Sequence, residues 1–126
     1  YESTRDMYYR DPDLKDGDAL VAVTVGDEIS RAMEAIATAR EMNLKQRGDA
    51  IFRDVEISKP KTDADGTRSA VVSYCHDPTR LDLIDTSTGD SVIRTLEDTV
   101  VARATMWLLP DGSWRAARLE SKFEPC

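Results

Sequence analysis

Histidine, cysteine and long apolar runs are all scarce in this chain, and each scarcity excludes a class of protein. There is one histidine, His76, and two cysteines, Cys75 and Cys126. Neither CxxC nor HxxxH spacing occurs, so a closed tetrahedral metal site cannot be assembled and no metal is expected. The calcium-loop pattern is missing too, because Asp63-x-Asp65-Gly66 has no downstream bidentate Glu. No cofactor-binding motif is legible, and no cofactor is expected. The longest apolar stretches, Ala19–Val25 and Val100–Leu109, are broken by Thr24, Arg103 and Thr105. Both fall short of the roughly 18 residues that cross a bilayer, so this segment is not expected to insert in a membrane. Positive charge is also short, with 17 basic residues against 24 acidic ones and a net charge of −7. Such a surface repels phosphate backbones and anionic headgroups, so nucleic acid is not an expected partner. The chain starts at Tyr1 with neither an initiator Met nor a signal sequence. It reads as a mature or trimmed chain whose leader or anchor is missing.

What remains is the composition of a globular domain. Hydrophobic residues make up 40% and charged residues 33% of 126 positions, enough for one hydrophobic core. A single domain over 1–126 is the expectation, helical over about 1–47 and sheet-forming over about 49–126.

The spacing predicts a short helix over Tyr1–Arg10 with Met7, and Tyr8 as a second candidate, facing inward, ended by Asp11-Pro12. A second short helix is expected within Asp16–Val25. Asp27–Gln46 is the clearest helix: Asp27 suits the N-cap, and Ile29, Met33, Ile36, Ala37 and Arg40 recur at three-to-four spacing. Gly48 is its expected stop. Beyond it the period falls to two. Ile51–Lys59 and Thr67–His76 flank the Asp63–Gly66 turn as an antiparallel pair, and Leu81–Asp85 and Ser91–Arg94 flank a second turn. In Thr99–Leu109 the even-numbered residues form the expected core face. Pro110–Ser113 then leads by a hairpin into Trp114–Lys122. Helices followed by an antiparallel meander describe an α+β domain, with a curved sheet wrapping a long helix.

The residues leave the cysteines open. A bond between them would pin the last strand and close a loop of about 50 residues, worth ~4 kcal/mol in the chain-entropy model. Two free thiols, one buried and one on the tail, are the alternative.

One set of motifs points further. Cys75-x-Asp77, the turn Asp85-Thr86-Ser87-Thr88-Gly89, Gly112-x-Trp114 and the terminal Cys126 follow a helical half in that order. The chain resembles the secreted lipoprotein-type domains of actinobacteria and their phages, which have the NTF2-like (cystatin-like α+β) fold. The resemblance spans nearly the whole sequence. It implies helices packed in the concave face of a curved mixed or antiparallel sheet, with an open cone between them. It also implies a Cys75–Cys126 disulfide and an extracytoplasmic location, secreted or anchored to the cell envelope. The lipidated N-terminal Cys of such proteins is absent, so anchoring concerns the missing leader.

Catalytic residues are not expected. His76 and Asp77 are adjacent on a strand and point to opposite faces, so His76 reads as a solvent-facing strand end. A disulfide would consume any Cys75 nucleophile. Asp77, Asp82 and Asp85 read as turn formers. Val101, Trp107 and Leu109 on the outer sheet face, with Trp114, are the candidate interface for a protein partner or a homodimer; Trp107 packing on Trp114 is the alternative. A small apolar ligand in the cone is a further possibility. The expected function is therefore a non-enzymatic, extracytoplasmic binding domain. A scaffold module of a membrane-anchored conjugation or secretion assembly is one alternative. An isomerase- or dehydratase-type enzyme is another, and it requires a titratable group inside the cone.

Overall fold

A computed structural model describes residues 1–92 and 99–126. Three helices come first: α1 (Glu2–Arg10), α2 (Asp18–Val21) and α3 (Glu28–Glu41). Seven strands follow: β1 (Leu44–Gly48), β2 (Ile51–Ile57), β3 (Lys61–Thr62), β4 (Arg68–Asp77), β5 (Leu81–Asp85), β6 (Val100–Leu108) and β7 (Trp114–Phe123). The fold is α+β, and its main sheet is open, not a barrel. Strands run in the order β2-β4-β6-β7, with β3 also on β4, and β1 and β5 form a separate antiparallel pair. Among the described residues every strand pairing is antiparallel, and one parallel bridge, Thr24 to Ala116, adds the segment before α3 to the β7 edge.

The long helix is shorter than its periodicity suggested. It stops at Glu41 because Asn43 takes φ 56, a left-handed conformation that Asn tolerates and that ends helices. Leu44–Gly48 is therefore a strand, and the helical part closes before residue 47. Gly48 has a different use: at φ 83 its α-carbon runs so close to Arg80 that an added Cβ would meet the Arg80 carbonyl oxygen at 2.2 Å. The inward face of α3 is also rotated. Ala32 and Ile36 are buried, whereas Met33 is exposed. Asp27 precedes α3 in helical conformation and makes no side-chain cap.

In α1 the inward residue is Tyr8, whose hydroxyl donates to the Asp16 carbonyl at 2.7 Å; Met7 is half exposed. The 3.6-residue period allows only one of two adjacent side chains onto a narrow buried stripe. Tyr8 joins Leu20, Ala32 and Ile36 in one core cluster. Arg40, one of the residues at helical spacing, clamps the two helices. Its guanidinium donates to the carbonyls of Tyr8, Asp11 and Leu14, at 3.2, 3.2 and 2.8 Å, at and just beyond the end of α1.

The sheet follows the alternation closely. Val100, Ala102 and Ala104 are buried, and Tyr74, Ala102 and Ala104 form the second core cluster. The β6–β7 hairpin closes where expected, with Gly112 at φ 84 and the Asp111 carboxylate accepting from the Ser113 amide at 2.9 Å. The pair Ile51–Ile57 and Arg68–Asp77 forms with a bulge at Asp54, which has φ 55. Leu81–Asp85 pairs mainly with β1, touching the following segment through an Ile84–Ser91 bridge. The Val92 amide donates to the Leu83 carbonyl at 2.7 Å, and the last two residues of the expected Ser91–Arg94 strand lie outside the described residues. No helix among the described residues is long and apolar enough to cross a membrane.

Candidate functional site

The inner face of the main sheet carries an aromatic row. Phe52 stands opposite His76 in the β2–β4 register, and Tyr74 lies two residues along on the same side. The Phe52 and His76 rings stack at 5.2 Å, and Phe52 meets Tyr74 edge-on at 5.7 Å. His76 is thus half-buried and inward-facing, not a solvent-facing strand end. The reason is its pairing with Val100, which fixes it on the core side. The neighbouring strand places Val100 opposite His76 and the small Ala102 opposite Tyr74, so the sheet leaves room at Ala102 where a larger residue would fill it.

α1 lies across that space and brings polar groups into it. Glu2 accepts hydrogen bonds from the Tyr74 hydroxyl and from Arg5, the latter at 3.0 Å. The Arg5 guanidinium sits 5.4 Å from the Tyr1 ring centre and 5.9 Å from that of Tyr9. The Tyr1 hydroxyl donates to Glu28, a carboxylate that is 4% exposed at the start of α3. Burial, then the nearby Glu2 charge, holds the Tyr74 phenol protonated well above its ordinary range. Burial and the bond to Glu28 do the same for Tyr1. Beside them, burial raises the Asp6 carboxyl, partly offset by the nearby Gln46 side chain.

Together these elements line an open cavity of about 280 Å³. Glu2, Arg5 and His76 form its polar side, and Leu81, Val100, Ala102 and Phe123 its apolar side. Within this lining two buried side-chain nitrogens, His76 Nε2 and Arg5 Nε, have no partner among the described residues. Buried polar atoms are normally satisfied, so this unpaired pair sets the lining apart as a candidate polar subsite. Sequence reasoning missed Glu2, Arg5 and Tyr74. The signal was present as an acid and a base three residues apart on a helix, flanked by Tyr1 and Tyr9.

The outer face carries the disulfide. Cys75 and Cys126 are bonded, with Cα atoms 5.9 Å apart and 51 residues between them in sequence. Cys75 stands opposite Arg53 on one side and Val101 on the other. After Phe123 the chain therefore turns back over the end of β6 to reach it. Arg53 donates to the Cys126 carbonyl at 3.0 Å, and the Cys126 amide to the Thr99 hydroxyl at 2.8 Å. Of the candidate interface, Val101 and Trp107 share this outer face. Trp107 stands opposite Arg115 and Trp114 opposite Leu108, so the two tryptophans occupy opposite sides of the hairpin. Leu109 is half-buried at the strand end, where its amide donates to the Ser113 carbonyl.

The acidic loop residues have local work. Asp65 and Asp77 each accept from the backbone amide two residues on, and Asp85 and Asp111 from the hydroxyl and then the amide of Ser87 and Ser113, which lowers all four carboxyls. Asp82 accepts from Arg47 at 2.5 Å and Ser91 at 2.8 Å.

No family model matches the chain, and no curated protein matches it. Among solved structures it is similar to the intermembrane space region of the chloroplast protein ARC6. The TM-score is 0.63 at 15% identity, covering 98% of this chain and 89% of that one. A likeness this remote concerns the fold: helices packed on an open antiparallel sheet.

Proposed function

We propose that the chain is an extracytoplasmic, non-enzymatic binding domain of the NTF2-like type. Its cone cavity takes a small ligand with an apolar body and one acceptor oxygen. The observation that carries this reading is the pairing of orphaned donors, His76 Nε2 and Arg5 Nε, with apolar walls in one cavity. The location is supported by the disulfide, which persists in oxidising compartments, and by the intermembrane space origin of the ARC6 region. Secretion or lipid anchoring in the manner of actinobacterial and phage lipoproteins belongs to the same proposal.

Decanoate is a suitable probe, having an alkyl chain and a carboxylate. Titrating it against the amide spectrum of the domain is expected to move Arg5, His76 and Ala102, and His76→Ala is expected to weaken the effect. No response at about 1 mM, or shifts confined to the outer face, would sink the cavity reading. A second reading is favoured by the raised Asp6 carboxyl near His76, which suits proton transfer in an isomerase or dehydratase. Exchange of an α-hydrogen of a bound carbonyl compound, lost in His76→Ala, would establish that reading instead.

A further inference from the structure

β7 is the terminal strand of the main sheet. Its outer edge is paired at one point, where Ala116 exchanges backbone hydrogen bonds with Val23 and Val25, each at 2.9 Å. Over residues 117–123 no further strand pairs with that edge among the described residues. A groove of about 700 Å³ runs beside this stretch. An unpaired edge of this length is a template for another extended chain, and natural sheets usually blunt it with charge.

Blunting does not account for the charges here. Four cations line the groove, Arg31, Arg103, Arg118 and Lys122, against two anions, Glu120 and Glu124. Arg118 is paired with Glu120 at 2.7 Å. Arg31 and Arg103 come from α3 and β6, not from the edge strand. Guarding the edge needs charge on β7 alone, whereas here three elements converge cations on one groove. They do so in a chain whose net charge is −7. The disulfide-tethered tail contributes Glu124 to one side of the groove and so fixes its extent.

We propose that this groove receives an acidic, extended segment of a partner protein, which adds to β7 as a further strand. Backbone hydrogen bonds along 117–123 would hold it. Arg31, Arg103 and Lys122 would select its charge. The groove shares Leu119 and Ser121 with the cone cavity but not Glu2, Arg5 or His76, so responses at those three distinguish failure of one proposal from failure of the other.

The probe is the acetylated, amidated heptapeptide Glu-Val-Glu-Val-Glu-Val-Glu, with its lysine counterpart as control. Amide spectra and hydrogen exchange are followed on the oxidised domain. The acidic peptide is expected to shift and protect amides within 117–123, and the lysine peptide to leave them unchanged. Affinity is expected to fall about tenfold from low to high salt, and about threefold with each of Arg31→Glu and Lys122→Glu. Both variants are surface changes, and far-ultraviolet circular dichroism verifies that they fold. Equal response to both peptides, no protection of 117–123 at about 1 mM, or shifts centred on the cavity would overturn the proposal. So would light scattering that finds the edge already occupied by a second copy of the chain.

Discussion

Replacing Cys75 and Cys126 together by alanine tests what the disulfide does for this fold. The bond spans a sequence separation of 51 residues. Closing a loop of that size removes roughly 14 cal/mol/K of unfolded-chain entropy, or about 4 kcal/mol at 25 °C. For 126 residues the unfolding entropy near 60 °C is roughly 260 cal/mol/K, so the midpoint should fall by about 15 °C. The folded state should change little, because the tail is otherwise held by a few exposed hydrogen bonds, from Arg53 and through Thr99. Those bonds are too weak to order three terminal residues alone, so the tail should fray while the sheet persists. Scanning calorimetry measures the shift, and hydrogen exchange separates the tail from the core. Wild type in reductant should behave like the double variant. A fall of less than about 5 °C, or lost protection throughout α1–α3 at 25 °C, would refute the assignment of the effect to the unfolded chain.

Three other perturbations address the rest of the fold. Leu20 is fully buried at 0% exposure, so Leu20→Ala should cost about 2–5 kcal/mol in chemical denaturation; a loss below about 1 kcal/mol would mean that the cluster collapses around the gap. Gly48→Ala combines a left-handed backbone with a contact on the Arg80 carbonyl, and should cost at least about 1–3 kcal/mol, read as an earlier urea midpoint. The folded Tyr74 phenol titrates above its unfolded value near 10, so its contribution is complete below about pH 10 and declines as pH rises further. Tyr74→Phe should flatten that alkaline decline, and an unchanged slope in pH-dependent denaturation would count against the buried Tyr74–Glu2 pair.

Much of the sheet was legible because a strand's period of two is unforgiving. The even face of Val100–Leu108 could be read directly, and so could the Pro110–Ser113 turn. Helix ends were less legible. Asn43 and Gly48 both permit positive φ, and nothing local says which one ends α3; the choice is made by Leu44–Gly48 pairing with β5, a contact some 40 residues away along the chain. The disulfide was open from spacing and came from the order of motifs. The cavity was illegible for a related reason. Glu2, Arg5, Tyr74 and His76 come from two elements far apart in sequence, and each alone reads as an ordinary helix or strand residue. His76 was placed on the wrong face because its register with Val100 depends on strand pairing, not on its own neighbours.

Ala102 has a consequence for how such a domain could change its preferences. It lines the cleft, and its small side chain leaves space there. A larger side chain at this position would narrow the cleft without touching a hydrogen bond of the sheet. On the proposed binding reading, guest size would then be tuned at one position that leaves the polar end at Arg5 and His76 intact. Related domains could sort guests by length while reading the same head group.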